Sequence, residues 1–183
     1  MSVNGEMDGG RAAQEAEGRR RFGLNHHAEA SIHIDALPQA VWAVVADVTR
    51  NGEWSGETLG CEWVGDARAA EPGARFRGRN LRRGWRWTRT SEILRSDTER
   101  ELVWRTVSTP VYPDSTEWRI TLAPEDGGTR VTEGFRIVRM SRLMDFFLYW
   151  FMPVHRDRTP DLQEDLQRLK RVVEAARSRP GSA

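Results

Sequence analysis

The chain has 183 residues, 38% hydrophobic and 30% charged, which is ordinary for a single folded domain with a sizeable core. The 28 Lys and Arg residues nearly balance the 27 Asp and Glu residues, so no global charge field draws the protein onto nucleic acid or an anionic membrane. Cys61 is the only cysteine, which excludes an intramolecular disulfide and a cysteine-based zinc cluster and predicts a reducing, cytoplasmic location.

The first 27 residues differ from the rest of the chain in composition. They carry arginines among Gly, Ala and Glu without a continuous apolar stretch, which is unlike a secretory signal and predicts a disordered leader. Residues 28–176 are predicted to form the folded domain. Residues 177–183 are predicted to be a flexible tail.

A strand and a short helix open the predicted domain. Residues 28–35 alternate apolar and polar side chains, as a half-buried strand does. Asp35 is predicted to cap the helix that Pro38 begins, because Asp is a favoured capping residue and proline suits a first helical turn. Apolar residues at helical spacing between Val41 and Val48 give this helix one buried face.

A series of antiparallel strands follows this helix. Asn51-Gly52 is predicted to end the helix, with a second short helical turn over residues 53–57. Beyond that point the apolar period is two, and turns at Arg83-Gly84 and at residues 125–128 separate neighbouring strands. The predicted strands cover residues 58–65, 74–80, 85–93, 99–108, 115–122 and 129–138.

The C-terminal third returns to a helical period. Because proline removes a helical hydrogen bond, Pro153 and Pro160 predict an aromatic first segment, an irregular joint over residues 155–160 and a straighter final helix. The aromatic segment covers about 18 Å against about 30 Å of hydrocarbon, so it cannot span a membrane. Packing across the sheet is favoured, and an interfacial helix is the alternative. The apolar stripe consists of Leu143, Phe146, Phe147, Trp150, Phe151, Val154, Leu162, Leu166, Leu169 and Val173.

Four segments together carry a resemblance to a known superfamily: residues 34–42 (IDALPQAVW), 52–55 (GEWS), 101–104 (ELVW) and 127–133 (GGTRVTE). In this order along residues 28–176, they resemble the START-like (SRPBCC) superfamily, which includes polyketide cyclase/dehydrase-like and lipid-transport proteins. The resemblance implies an α+β helix-grip fold. In that fold a curved antiparallel sheet of about six or seven strands wraps a long C-terminal helix, and a ligand cavity lies between them.

Two positions depart from the superfamily pattern without threatening the fold. Leu37 stands where relatives often have another small residue or proline, and Gly56 stands where proline is common after Trp54-Ser55. The superfamily hosts cyclases, hydrolases, receptors and lipid carriers, so the fold alone does not select a function. No catalytic motif of the superfamily maps onto named residues of this chain.

Aromatic side chains on both walls of the implied cavity are candidate ligand contacts. The strand residues share the parity assigned to the concave face, and the helix residues lie opposite. The same residue types would equally fill a solid core, so both interpretations stay open. The candidates are Trp87, Trp104, Trp118 and Phe135 from strands, and Phe147, Trp150 and Phe151 from the helix.

Polar residues of the same parity supply further candidates. Arg89 and Glu133 would pair with each other, orient an oxygenated ligand, or lie at the sheet rim in solvent, and the rim is favoured. Ser91 and Thr106 would give neutral hydrogen bonds to the same ligand. His155 would guard the pocket mouth as an acid or base, although a surface histidine is the more frequent case.

The sequence predicts a protein that binds a small apolar ligand, either a polyketide, an isoprenoid or a lipid-like compound, in the cavity between sheet and helix. The alternative is a cyclase or dehydratase acting in the same cavity. No cofactor, metal or nucleic-acid partner is predicted, since no ligand spacing or phosphate loop occurs and Arg75, Arg77 and Arg79 share an outward face. No transmembrane segment is predicted, and transient membrane contact and the oligomeric state stay open.

Overall fold

A curved seven-stranded antiparallel sheet forms the body of the domain, and its strands follow the order β1-β7-β6-β5-β4-β3-β2. This computed structural model describes residues 26–141 and 157–177, together with Leu143, Phe146 and Trp150. The strands are β1 (His27–Ile34), β2 (Thr58–Val64), β3 (Arg75–Arg82), β4 (Trp85–Asp97), β5 (Glu101–Thr106), β6 (Ser115–Glu125) and β7 (Gly128–Arg139).

Two tight turns fix the register of the central hairpins. Arg83 and Gly84 join β3 to β4 with φ angles of 48° and 84°, and Asp126 and Gly127 join β6 to β7 with φ angles of 48° and 76°. Positive φ at both positions of a two-residue loop matches the right-handed twist of the flanking strands, and Gly adopts it without steric cost. Both turns are where the sequence predicts them.

The first helix, α1 (Pro38–Val45), is confirmed, but the predicted cap is wrong. The residue before the helix is Leu37, which makes no side-chain capping bond, because Pro38 occupies the first helical position. The Asp35 carboxylate lies instead 3.3 Å from His33 Nε2. The buried face of α1 consists of Val41, Val44 and Val45.

Asn51-Gly52 does not break a helix, contrary to the sequence prediction. After a 3-10 turn (Val48–Arg50), a short helix α2 (Asn51–Trp54) begins at Asn51 itself. Gly52 packs against the backbone of Leu59, so close that a Cβ would come within 2.9 Å of the Leu59 carbonyl oxygen. Glycine is therefore needed for close packing at this position.

The last helix, α3 (Thr159–Arg177), buries the predicted stripe of Leu162, Leu166, Leu169 and Val173. It packs against β1, β7, α1 and α2. Asp157 caps it, because Thr159 N donates to Asp157 Oδ1 at 2.9 Å. Pro160 lies in its first turn, where proline costs no helical hydrogen bond.

Two adjoining cores stabilise the domain. The larger core lies between the sheet, α1 and α3, and the smaller one contains Val48, Phe76, Ile93 and Leu102. Trp42 of α1 packs against both cores, which explains why a large aromatic residue stands at this position of the helix.

Some sequence predictions lie outside the described residues. These are the leader up to residue 25, the tail from residue 178, and the candidates Phe147, Phe151 and His155. Within the ranges 26–141 and 157–177, no helix is long and apolar enough to cross a bilayer.

Candidate ligand-binding site

A row of five aromatic rings crosses the concave face of the sheet. Trp63, Phe76, Trp104, Trp118 and Phe135 come from five different strands, and successive ring centroids are 6.2, 6.5, 6.3 and 5.4 Å apart. The Trp104 and Trp118 rings stack with an interplanar angle of only 7°. Phe76 and Phe135 are buried, whereas Trp63, Trp104 and Trp118 are half-buried and keep part of their surface accessible.

Cross-strand register produces the row. Trp118 lies directly opposite Trp104 on β5 and Phe135 on β7, and directly opposed side chains on one face of a sheet are in contact distance. The structure therefore brings together three of the predicted strand aromatics. Trp63 and Phe76 extend the row beyond these three residues. The only sequence signal that placed them on this face was the alternation of side chains along β2 and β3.

The other two predicted tryptophans, Trp87 and Trp150, have different surroundings. Half-buried Trp87 borders a depression of about 310 Å³ beside the β3–β4 turn, which Leu59, Arg79 and Arg86 also line. Trp150 is 57% exposed, and its ring centroid lies 6.3 Å from that of Phe146.

Arg89 pairs with Asp114 and not with Glu133. Its guanidinium donates to both Asp114 carboxylate oxygens at 3.0 and 2.9 Å and lies 5.1 Å from the centroid of the Tyr112 ring. The pairing hypothesis is wrong because the register sets Arg89 opposite Gly78 and Glu133 opposite Ile120, at different levels of the sheet. The Arg89 side chain is also only 13% exposed, so it does not lie in solvent at the rim.

Ser91 and Thr106 are opposed across β4 and β5, but only one hydroxyl is engaged. Thr106 Oγ1 accepts from Thr116 N at 2.8 Å, which holds the bulge at the start of β6. The hydroxyl of buried Ser91 has no hydrogen-bond partner among the described residues. Ser91 is therefore a neutral polar group beside the aromatic row.

Glu133 is buried in the interior, contrary to the favoured rim position. It is 3% exposed, and its Oε2 has no hydrogen-bond partner within the described part of the chain. The pKa of Glu133 is raised to about 8, mainly by burial and also by the charge of Asp165, while Arg158 partly offsets both effects. At neutral pH this carboxyl group carries its proton.

The start of α3 places a cation at the end of the aromatic row. The Arg158 guanidinium lies 5.3 Å from the ring centroid of Trp118 and 5.7 Å from that of Phe135, and it donates to Glu57. Nearby, Arg82 donates to both carboxylate oxygens of Asp161 at 2.9 and 2.7 Å. This ionic cluster ties α3 to the β2 and β3 side of the sheet.

Asp165 is a second acid of this region, and it is half-buried. Its Oδ1 accepts from Gly56 N at 2.7 Å, and the Ser55 hydroxyl lies 3.5 Å from Oδ2. Burial raises the pKa of Asp165 to about 6, while the Gly56 hydrogen bond lowers it. The departure from proline at position 56 thus supplies a donor that proline lacks.

Sequence reasoning missed the residues that complete this region. Asp165 had a signal, because it stands at helical spacing between Leu162 and Leu169 on the apolar stripe of α3. Arg158 had none, since its ring contacts and its partner Glu57 come from distant parts of the chain.

The comparisons with known proteins agree with this architecture. The family described as polyketide cyclase/dehydrase and lipid transport matches residues 25–174. The chain belongs to this family. The helix-grip fold expected of a polyketide cyclase/dehydrase and lipid transport protein is confirmed by the seven-stranded curved sheet and the C-terminal helix.

Solved structures similar to this family member come from bacteria and plants. A polyketide cyclase-like protein from Corynebacterium glutamicum is 26% identical, with a TM-score of 0.57 over 86% of this chain and 96% of that one. A protein from Nitrosomonas europaea is 15% identical (TM-score 0.61, 85% and 97% covered). A ginseng major latex-like protein from Panax ginseng is 12% identical (0.58, 82% and 95%). Among curated proteins, none matches the chain.

Proposed function

We propose that this family member binds a small, largely apolar ligand between the concave sheet face and α3. The aromatic row carries this proposal, because the Trp104 and Trp118 rings are nearly parallel and both residues are only half-buried. A flat or extended apolar compound, either a polyketide, an isoprenoid or a lipid-like molecule, complements such a surface. Contact with α3 would come through Arg158 at the end of the row.

Two polar groups favour a ligand that also carries oxygen. Glu133 Oε2 is buried without a partner among the described residues, and such an unpaired buried polar group costs about 1 to 3 kcal/mol. The Ser91 hydroxyl also has no partner among these residues. A ligand hydroxyl or carbonyl would remove that cost. In this proposal the apolar part of the ligand lies on Trp118, and its oxygen accepts a hydrogen bond from the protonated Glu133 carboxyl group.

The ring contact is tested by titrating the protein with 1-anilinonaphthalene-8-sulfonate and following the fluorescence of the bound probe. Trp118→Leu keeps an apolar side chain but removes the flat ring, and aromatic geometry contributes about 0.5 to 1.5 kcal/mol beyond burial. The dissociation constant should therefore rise about three- to tenfold, since 1.4 kcal/mol corresponds to tenfold.

Trp85→Leu is the matched control, because Trp85 is 65% exposed and outside the aromatic row. It should leave the affinity unchanged. Equal affinities of the wild type and Trp118→Leu would refute the proposed site. Native mass spectrometry of freshly purified protein would identify a co-purifying compound.

A cyclase or dehydratase activity is the second candidate, and Glu133 favours it. A carboxyl group whose pKa lies at about 8 is protonated at neutral pH and can act as a general acid on a carbonyl or hydroxyl oxygen. With a synthetic polyketone thioester as substrate, Glu133→Gln should slow cyclised product formation by about 10²- to 10⁴-fold and retain probe binding. Unchanged turnover would contradict a catalytic role of Glu133 and leave ligand binding as the only proposed function.

A cytoplasmic location belongs to the same proposal. Cys61 is a free thiol, as expected in a reducing compartment. Burial raises the pKa of the Cys61 thiol to about 11, so it stays protonated and unreactive. Fractionation of the source cells with detection of the untagged protein would test the location.

A further inference from the structure

One end of the sheet gathers three connecting segments, and we call it the hairpin end. Because all neighbouring strands are antiparallel, the β3–β4 turn, the loop of residues 107–114 and the last residues of β7 lie at the same end. The first residues of β2 lie there as well. The opposite end carries the β6–β7 turn and the loops of residues 65–74 and 98–100.

The hairpin end concentrates the exposed apolar surface of the described residues. Four of the eight exposed large apolar side chains lie at this end, and three more belong to the segment that follows β7; these seven are 41 to 78% exposed. Leu37 alone comes from the opposite end. An apolar patch drawn from separate segments indicates an interaction surface. The seven are Leu59, Trp85, Val111, Val138, Leu143, Phe146 and Trp150.

The same end carries unneutralised positive charge. Arg79, Arg83, Arg86 and Arg139 have no ion-pair partner among the described residues. Several acids nearby are engaged: Glu57 and Asp161 pair with Arg82 and Arg158, Asp114 pairs with Arg89, and the exposed Asp157 caps α3. Glu29, near the start of β1 at this end, is exposed and has no ion-pair partner among the described residues.

The opposite end carries charges of both signs. The exposed charged residues of its loops are Asp66, Glu71, Asp126, Arg68 and Arg100. At the adjoining strand ends Asp97 is exposed, and the exposed Arg75, Arg95 and Arg130 each pair with a glutamate.

We propose that the hairpin end docks on an anionic lipid surface. Trp85, directly after the β3–β4 turn, would lie at the headgroup level, where indole rings are favoured, and Arg83 and Arg86 beside it would contact lipid phosphates. A nucleic acid would accept the arginines and stack on Trp85, but it would not bury aliphatic side chains such as Val111 and Leu143. This proposal goes beyond ligand binding and does not depend on it.

Flotation of the full chain with phosphatidylcholine vesicles, with and without phosphatidylglycerol, tests the docking. The wild type should bind only the vesicles that contain phosphatidylglycerol, and added salt should release it. The double variant Arg83→Glu/Arg86→Glu should bind at least about tenfold more weakly, because each arginine near an anionic surface contributes to the affinity. Arg100→Glu reverses a charge at the opposite end and should change binding by less than about twofold.

A second measurement places Trp85 in the interface. Brominated lipids quench tryptophan fluorescence on contact, so Trp85→Phe should lose part of the quenching that the wild type shows. Equal binding to zwitterionic vesicles, full binding by the double variant, or selective binding of a DNA or RNA oligonucleotide in place of vesicles would each overturn the proposal. Circular dichroism confirms that each variant is folded.

Discussion

Glu133 and Asp165 carry the unusual chemistry of this protein at the scale of single residues. Both carboxyl groups have a raised pKa, about 8 and about 6, because burial disfavours the charged form. The charge of Asp165 also contributes to the raised pKa of Glu133, so the two groups resist ionising together. Arg158 offsets part of this effect for both of them.

Folding stability should fall as the pH rises because of Glu133. Its folded pKa of about 8 lies above the ordinary value of 4.5, so the unfolded chain loses this proton first. The stabilisation is complete below pH about 4.5 and is lost as the pH rises through about 8. Between pH 6 and 8, where Asp165 contributes little further change, the free energy of unfolding should drop by about 2 kcal/mol. Urea denaturation at several pH values measures it.

Glu133→Gln should remove this decline, because an amide of the same shape does not ionise. Glu62→Gln is the matched control, since its exposed side chain makes only a surface ion pair with Arg77, and it should keep the wild-type slope. A variant at position 133 that loses stability as steeply as the wild type would contradict the assigned burial.

The residue scale is also where sequence reasoning was least successful. Inward parity was right for Arg89 and Glu133, because side chains alternate strictly along a strand. The predicted pairing of Arg89 with Glu133 was wrong, because parity predicts which face of the sheet a side chain lies on but not its position along the strand. Register and loop geometry decided that Arg89 meets Asp114.

At the scale of elements, the joint between α2 and β2 is tied to α3 by one hydrogen bond. Gly56 N donates to Asp165 Oδ1 at 2.7 Å, where proline, common in the superfamily, would have no donor. Ser55 has extended backbone angles (φ −76°, ψ 129°), so it would accept a following proline. A proline at position 56 therefore removes the hydrogen-bond donor without straining the backbone of Ser55.

Gly56→Pro should destabilise the fold by about 0.5 to 1.5 kcal/mol, the usual net contribution of one hydrogen bond. Gly56→Ala retains the N–H group and should cost less, because its Cβ meets mainly the flexible end of Arg168. Urea denaturation measures both variants.

A double-mutant cycle isolates the hydrogen bond from other effects of proline. In an Asp165→Ala background, Gly56→Pro should cost clearly less than it does in the wild type. The same cost in both backgrounds would show that the Gly56–Asp165 bond does not stabilise the joint.

Elements themselves were largely predictable from the sequence. Alternation gave all seven strands, and helical spacing gave α1 and α3, because both patterns are local. The errors lie at Asp35 and Asn51-Gly52, where local propensity favoured a cap and a break. Tertiary packing decided otherwise, since Gly52 lies against the backbone of Leu59.

At the scale of the whole molecule, the proposed ligand would join the sheet to α3. A compound bound between them stabilises only the folded state, by about 2.7 kcal/mol at a hundredfold excess over its dissociation constant. For a chain of this size that corresponds to a rise in Tm of about 5 to 10 °C.

Removal of the co-purifying compound on a hydrophobic resin should therefore lower the Tm by about this amount, and adding the compound back should restore it. Calorimetry of the stripped, reloaded and untreated protein measures the effect. If stripping removes a compound but leaves the Tm unchanged, that compound does not bind in the folded interior.

The sequence by itself determined the strands, their turns, the two longer helices and the aromatic composition of the concave face. These follow from patterns within a few residues, such as period two and a positive-φ turn. The tertiary structure alone decided how Arg158 reaches Glu57, 101 residues away, and how the rings of five strands align in one row. It also decided that Glu133 is buried and protonated, because burial and register are properties of the assembled fold.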